Sequence, residues 1–263
     1  MRRLITIPIS HYCEKARWAL ERAGLAYSEE RHVQGVHRIV ARRAGGGSTV
    51  PVLVAPEGVF GESEQIVAYA DDSLPEDLRL FPADPALRAE VEKVSRWLDE
   101  GLGPDGRRLM YANMLEHRRL MLRVNCQGVP NWERRTMTAL WPAAVRYGKR
   151  ELWIGPTSAD EDEVLVQRAF DAVAERLADG RRYLCGDRFT AADLTFAALS
   201  ASVLVPPEYG VPLPQPEILP AETASAVRAF RAHPAGAYAL RLFRDERRRS
   251  VAQGDELSDP ARR

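Results

Sequence analysis

One change of pattern, at "DDSLPEDLRLFPADPA" from Asp71, divides this chain into two kinds of sequence. Prolines and acids cluster there without apolar periodicity, which predicts a linker over 75–86. Before it, short β-branched runs alternate with short helical ones; after it, apolar residues recur at spacings of three and four almost without interruption. With 263 residues the chain has room for two cores. The expected division is an α+β unit over 1–74, an all-α unit over 87–252 and a polar tail over 253–263.

In the first unit, Leu4 to Ile9 reads as a strand with Pro8 near its end, where a missing N–H is tolerated. A helix follows: Cys13, Ala16, Leu20 and Ala23 form one apolar stripe, and Gly24 supplies the stop. "AYSEERHV" reads as a second strand and "VHRIVARRA" as a short basic helix. "VPVLVAPEGVF" reads as a hairpin turning at Pro56 to Gly58, with a helix from Ser63 to Tyr69 after it. In the second unit five segments read as helices: "LRAEVEKVSRWLDEGL", "RRLMYANMLEHRRLMLRV", "NWERRTMTALWPAAVRYG", "DEVLVQRAFDAVAERLADG" and "ETASAVRAFRAHPAGAYALRLFRDERRR". A further apolar helix opens at Thr190 and Asp193, a variant capping box. The stretch "VPPEYGVPLPQPEILP" is too rich in proline for a regular element.

Charge and cysteine content narrow the partners. Lys plus Arg and Asp plus Glu both total 37, so no global field draws in nucleic acid or anionic lipid. The Arg-rich "RLFRDERRRS" is interrupted by Asp245 and Glu246 and reads as a solvated helix face. Three cysteines, Cys13, Cys126 and Cys185, suit neither a disulfide framework nor a zinc knuckle, and a reducing cytoplasm fits them. No metal is expected: the five histidines form no HExxH pair, and His32 and His37 share no helical face. The longest mostly apolar run, from Leu194, is too short to span a bilayer, and the N-terminus lacks a signal-peptide pattern.

Four places are candidates for chemistry. Ser10 sits between strand and helix; it is either an N-cap alone or also a hydroxyl that meets an incoming thiolate where the helix end carries positive charge. Cys13, one turn further on, is either a small core residue or a redox thiol. In "STVPVLV" the proline before a buried strand suggests a cis peptide at Pro51, which would leave the Val50 backbone free for a peptide-like ligand, with Gly45 to Gly47 as a flexible rim. "GESEQI" puts Glu62 and Ser63 at a helix start, where a carboxylate and free amides suit an amino-acid-like group, or where Ser63 simply caps the helix. Trp97, Tyr111, Trp132 and Trp141 are either core or the lining of an apolar pocket.

The order of these motifs, "SHYCEKARWAL", "TVPVLV", "ESEQI", a proline-rich linker and "GDRFTAADLTFA", resembles the glutathione transferase superfamily. The resemblance implies a thioredoxin-like N-terminal domain, an all-helical C-terminal domain, glutathione as co-substrate, a small electrophile as second substrate and a homodimer. It aligns Ser10 with the catalytic serine of the serine-type classes and with the cysteine of the omega-like classes. It gives Val50, beside a cis Pro51, backbone bonds to the cysteinyl part of glutathione, and gives Glu62 and Ser63 the γ-glutamyl end. Where several classes carry Lys or Gln for the glycyl end, this chain has Thr49, and His37 or Arg42 would substitute. The segment Gly103 to Gly155 departs from the family in length and would shape the second-substrate pocket. Two other readings stay open: a glutathione-dependent thiol-disulfide reductase using Cys13, and a noncatalytic ligand-binding homologue.

Overall fold

The computed structural model describes residues 1–155 and 157–248; the expected tail at 253–263 lies outside them. The first unit is a four-stranded sheet of order β2-β1-β3-β4. β1 (Arg2–Thr6) runs parallel to β2 (Tyr27–Arg31), pairing Arg2 with Tyr27 through Thr6 with Arg31. β3 (Val52–Ala55) lies antiparallel to β1, with Ile5 opposite Val52, and β4 (Gly58–Phe60) closes the hairpin. Three helices complete the unit: α1 (His11–Arg22), α2 (Val36–Arg43) and α3 (Ser63–Asp71).

The apolar stripe of α1 is buried as its spacing predicts, from Cys13 through Ala16 and Leu20 to Ala23. Its polar face is buried too. Lys15 pairs with Asp99 at 2.6 Å, and Arg17 pairs with Glu14 at 3.3 Å and Glu29 at 2.7 Å. Such burial is tolerable only because each charge meets an opposite one. α1 therefore sits between the two units, packed on α3 and on the central helix of the second.

That second unit is all helical. Its first helix, α4 (Pro85–Glu100), is capped by Asp84, whose carboxylate accepts from Leu87 N at 2.8 Å. α5 (Leu102–Met114), α6 (Arg118–Asn125), α7 (Asn131–Ala139) and α8 (Trp141–Glu151) follow, then α9 (Ser158–Arg176), α10 (Ala191–Leu204), α11 (Ala221–Ala232) and α12 (Pro234–Glu246). α10 is buried on nearly every side, which its mostly apolar sequence allows. The Thr190–Asp193 capping box is present, and the Asp193 carboxylate also accepts from Leu184 N at 2.7 Å and from the Tyr238 hydroxyl.

Several expectations need correction. Three segments read as single helices are each two: the breaks fall at 115–117, at Leu140 and at His233. The linker is tacked down, with Leu80 fully buried and its N–H donated to Asp71. Within it lies a short 3₁₀ turn, Glu76–Leu78. The Arg-rich C-terminal stretch is not simply a solvated face. Arg247 is buried and binds Glu14 at 2.6 Å and Glu21 at 2.5 Å. The main core runs through both units, from Leu4 and Trp18 to Phe170, Phe196 and Phe243. A second apolar cluster around Met121, Met137 and Trp141 belongs to α5–α8. Among the described residues no helix is long and apolar enough to cross a membrane.

Candidate functional site

After β1 the chain passes Pro8 and enters α1 at Ser10, the N-cap in extended conformation. Two distant groups hold this approach. The Arg17 guanidinium donates to the Pro8 carbonyl at 3.0 Å, and the Tyr209 hydroxyl donates to the Ile9 carbonyl at 3.1 Å. Ser10 Oγ accepts from Cys13 N at 3.4 Å. That uses one lone pair; the hydroxyl proton reaches the Cys13 sulfur in a side-chain hydrogen bond that lowers the thiol, and rotation about the Cβ–Oγ bond turns the same proton toward a ligand in the cavity.

Ser10 lines a cavity of about 570 Å³, within the size range of small-molecule sites. His37, Thr49 and Val50 line it as well, and the Val50–Pro51 peptide bond is cis. Pro51 itself is buried behind the rim. Glu62 and Ser63 do not line the cavity. Glu62 is exposed and is the N-cap of α3, while Ser63 is the first helical residue and buried. Glu62 still bears on the site, since its charge reaches the hydroxyl of Tyr12, a lining residue. Arg42 is exposed and away from the cavity.

Cys13 is fully buried, and burial pushes its thiol up against the opposing pull of Arg17 and Ser10. A thiol so placed is the inert kind. Tyr12 is no rival to Ser10 either. Burial above all raises its pKa, and its proton is committed to the Asp99 carbonyl at 2.7 Å. Burial and then the charge of Arg107 lower His11 to about 3, so this ring is neutral at ordinary pH. His37 is likewise lowered to about 4, by burial and then by Arg38, and offers a hydrogen bond rather than an ion pair.

The opposite wall comes from α5–α8. A Cβ at Gly103 would overlap the Tyr12 hydroxyl, so this glycine lets α5 lie close against α1. One turn on, Arg107, Met110 and Tyr111 share a helix face and reach the cavity. Gln34 donates to the Tyr111 hydroxyl at 2.8 Å and to Asn125. Glu133, fully buried, accepts from Val33 N at 2.9 Å and meets His32 Nδ1 at 2.7 Å. Arg38 pairs with Glu151. These bonds tie the wall to the loop after β2 and to α2.

Of the four aromatic residues weighed from sequence, Tyr111 and Trp141 line the cavity, whereas Trp97 and Trp132 are exposed at the surface. His11, Gln34 and Arg107 were not singled out from sequence. The one available signal was the pair Gly103 and Gly106 inside a helical pattern, a mark of close approach.

Two family models match the chain: Glutathione S-transferase, N-terminal domain, over residues 4–77, and Glutathione S-transferase, C-terminal domain, over residues 156–232. Together they span more than half of it, and the cavity wall between 78 and 155 lies outside both. A glutathione S-transferase from Xanthobacter autotrophicus Py2 superposes with a TM-score of 0.62 at 17% identity, covering 98% of this chain and 100% of that one. Glutathione transferase F2 from Populus trichocarpa gives 0.65 at 14% identity, with 98% and 100% covered. A glutathione S-transferase from Methylobacillus flagellatus KT, solved with GSH bound, gives 0.54 at 14% identity, with 91% and 98% covered. No curated protein matches by sequence.

Proposed function

Because the chain belongs to the glutathione transferase superfamily, we propose that it transfers the glutathione thiolate to the electrophilic carbon of a small, largely apolar substrate. The observation that carries this is Ser10: a rotatable hydroxyl at the tip of α1, lining the cavity. Val50 and Thr49 on the neighbouring rim would pair with the peptide backbone of glutathione. His37 would serve its glycyl end, and Glu62 and Ser63 its γ-glutamyl end.

The energetics suffice. A free thiol with a pKa of about 8.5 is only a few per cent thiolate at neutral pH, and lowering it by about two units takes roughly 2.7 kcal/mol. A hydrogen bond from Ser10 to the thiolate supplies about 1.5 to 3 kcal/mol, and the helix end adds about 0.3 to 1 kcal/mol. Ser10 therefore donates without ionising. The thiol proton leaves to solvent, the sulfur lone pair forms the S–C bond, and the leaving group departs with its bonding electrons.

Kinetics with glutathione and 1-chloro-2,4-dinitrobenzene test the assignment. Ser10→Ala is expected to lower kcat at saturating glutathione by about tenfold or more, the worth of one charge-assisted bond. Unchanged turnover in that variant would refute Ser10. Tight glutathione binding with no turnover across electrophile classes would instead identify a noncatalytic binder. The resemblance also carries a homodimer, for which sedimentation should give about twice the 29.4 kDa chain mass; a monomer mass would remove it.

A further inference from the structure

The cavity wall holds a cation that no acceptor among the described residues meets at hydrogen-bond distance, although the Glu151 carboxylate feels its charge. Four lining residues are formally charged: Arg38, Arg107, Glu133 and Glu151. Arg38 and Glu151 pair with each other, and Glu133 is taken by His32 and by Val33 N. Arg107 makes no hydrogen bond and no ion pair among the described residues, and its Nε is buried without a partner. Beside it, His11, itself 3% exposed, carries a second buried and unpartnered atom, Nε2. A guanidinium held in a partly dry site without an acceptor is costly unless a ligand supplies one.

Much of the rest of that wall is apolar: Met110, Met137, Leu140 and Trp141 face the same space. A ligand that satisfies it has an apolar or aromatic body and one anionic oxygen group, the fork geometry of arginine matching a carboxylate or sulfonate with two parallel bonds. We propose that Arg107 is the specificity-determining residue of this cavity and selects an electrophile bearing an acidic oxyanion group. This rests on the glutathione transferase reading for the reaction, but the binding preference stands apart from it. Arg107 also lies in the stretch that neither family model covers, so the preference belongs to this chain's own wall.

The test compares 4-chloro-3,5-dinitrobenzoate with its methyl ester, each rate divided by its uncatalysed rate with glutathione. In parallel, calorimetry measures binding of the unreactive 3,5-dinitrobenzoate and its methyl ester. The acid is expected to be favoured over the ester by about tenfold or more in both measurements, as one charge-assisted contact provides. Arg107→Met, which keeps an apolar stem of similar length, should bring the ratio to about one, and Arg107→Lys should restore part of it. Circular dichroism checks that each variant is folded.

Equal handling of acid and ester by the unaltered protein would overturn the proposal, as would a ratio that survives Arg107→Met. So would a loss of glutathione affinity in Arg107→Met with the ratio intact, which would give Arg107 to glutathione. If the protein neither turns over nor binds glutathione yet prefers the acid through Arg107, the transferase reading fails and this inference stands.

Discussion

At the scale of single residues, the N-cap and its neighbour divide the work at the tip of α1. Ser10 spends a lone pair on Cys13 N and shares its proton between the Cys13 sulfur and the cavity, whereas His11 gives the helix a buried neutral ring. The ring has a measurable cost in acid. The unfolded chain protonates His11 near pH 6.5, while the folded chain holds it neutral down to about 3. Between those values the unfolded state binds more protons, so stability falls as pH is lowered through that window. From pH 7 to pH 5 the share of His11 is about 2 kcal/mol. Urea unfolding at both pH values should show His11→Gln losing less stability than the unaltered protein by about that amount; equal losses would contradict a buried neutral histidine.

At the scale of elements, α10 depends on its start. Asp193 accepts from Thr190 N at 2.7 Å, Thr190 Oγ1 at 2.9 Å, Leu184 N at 2.7 Å and the Tyr238 hydroxyl. Asp193→Asn turns a donor toward these donors and should cost about 3 kcal/mol, lowering Tm by roughly 6 to 12 °C; a shift under about 2 °C would mean the box contributes little. This box was legible, because Thr and Asp three residues apart before an apolar run have one local use. The first three helices, the second strand and the hairpin were legible from local pattern too, but β1 lies at Arg2–Thr6 rather than Leu4 to Ile9, because the chain leaves the sheet before Pro8 and turns into α1. The helix breaks were not read, although Pro142 and Pro234 mark first-turn positions: apolar spacing of three to four continues across a kink, so periodicity alone fuses two helices. Of the residues that line the cavity, Ser10 and Val50 were singled out because they fall at element boundaries, and His37 and Thr49 through the family resemblance. Arg107 and Gln34 were not, because their role exists only where α5 meets the loop after β2.

At the scale of the whole molecule, the two units are joined by charge as well as by a common core. Glu14 of α1, fully buried, accepts from Arg247 Nε at 2.6 Å, from Gly210 N at 3.0 Å and from Arg17. Nothing local announces this, since an arginine run on a terminal helix is written like a solvated face and 233 residues separate Glu14 from its partner. Arg247→Met should destabilise by about 2 to 3 kcal/mol, and a double-mutant cycle with Glu14→Gln should return a coupling of at least about 1 kcal/mol. Additive effects would show that the pair is incidental. The central claim, that this assembly presents Ser10 to a glutathione thiol, is tested most directly by titrating the intact protein with reduced glutathione at neutral pH. The readout is the ultraviolet difference absorbance of the bound thiolate. The account predicts a saturable signal that is lost or strongly reduced in Ser10→Ala while glutathione still binds by calorimetry. The same thiolate signal in both proteins, or none in the unaltered protein up to millimolar glutathione, would contradict it.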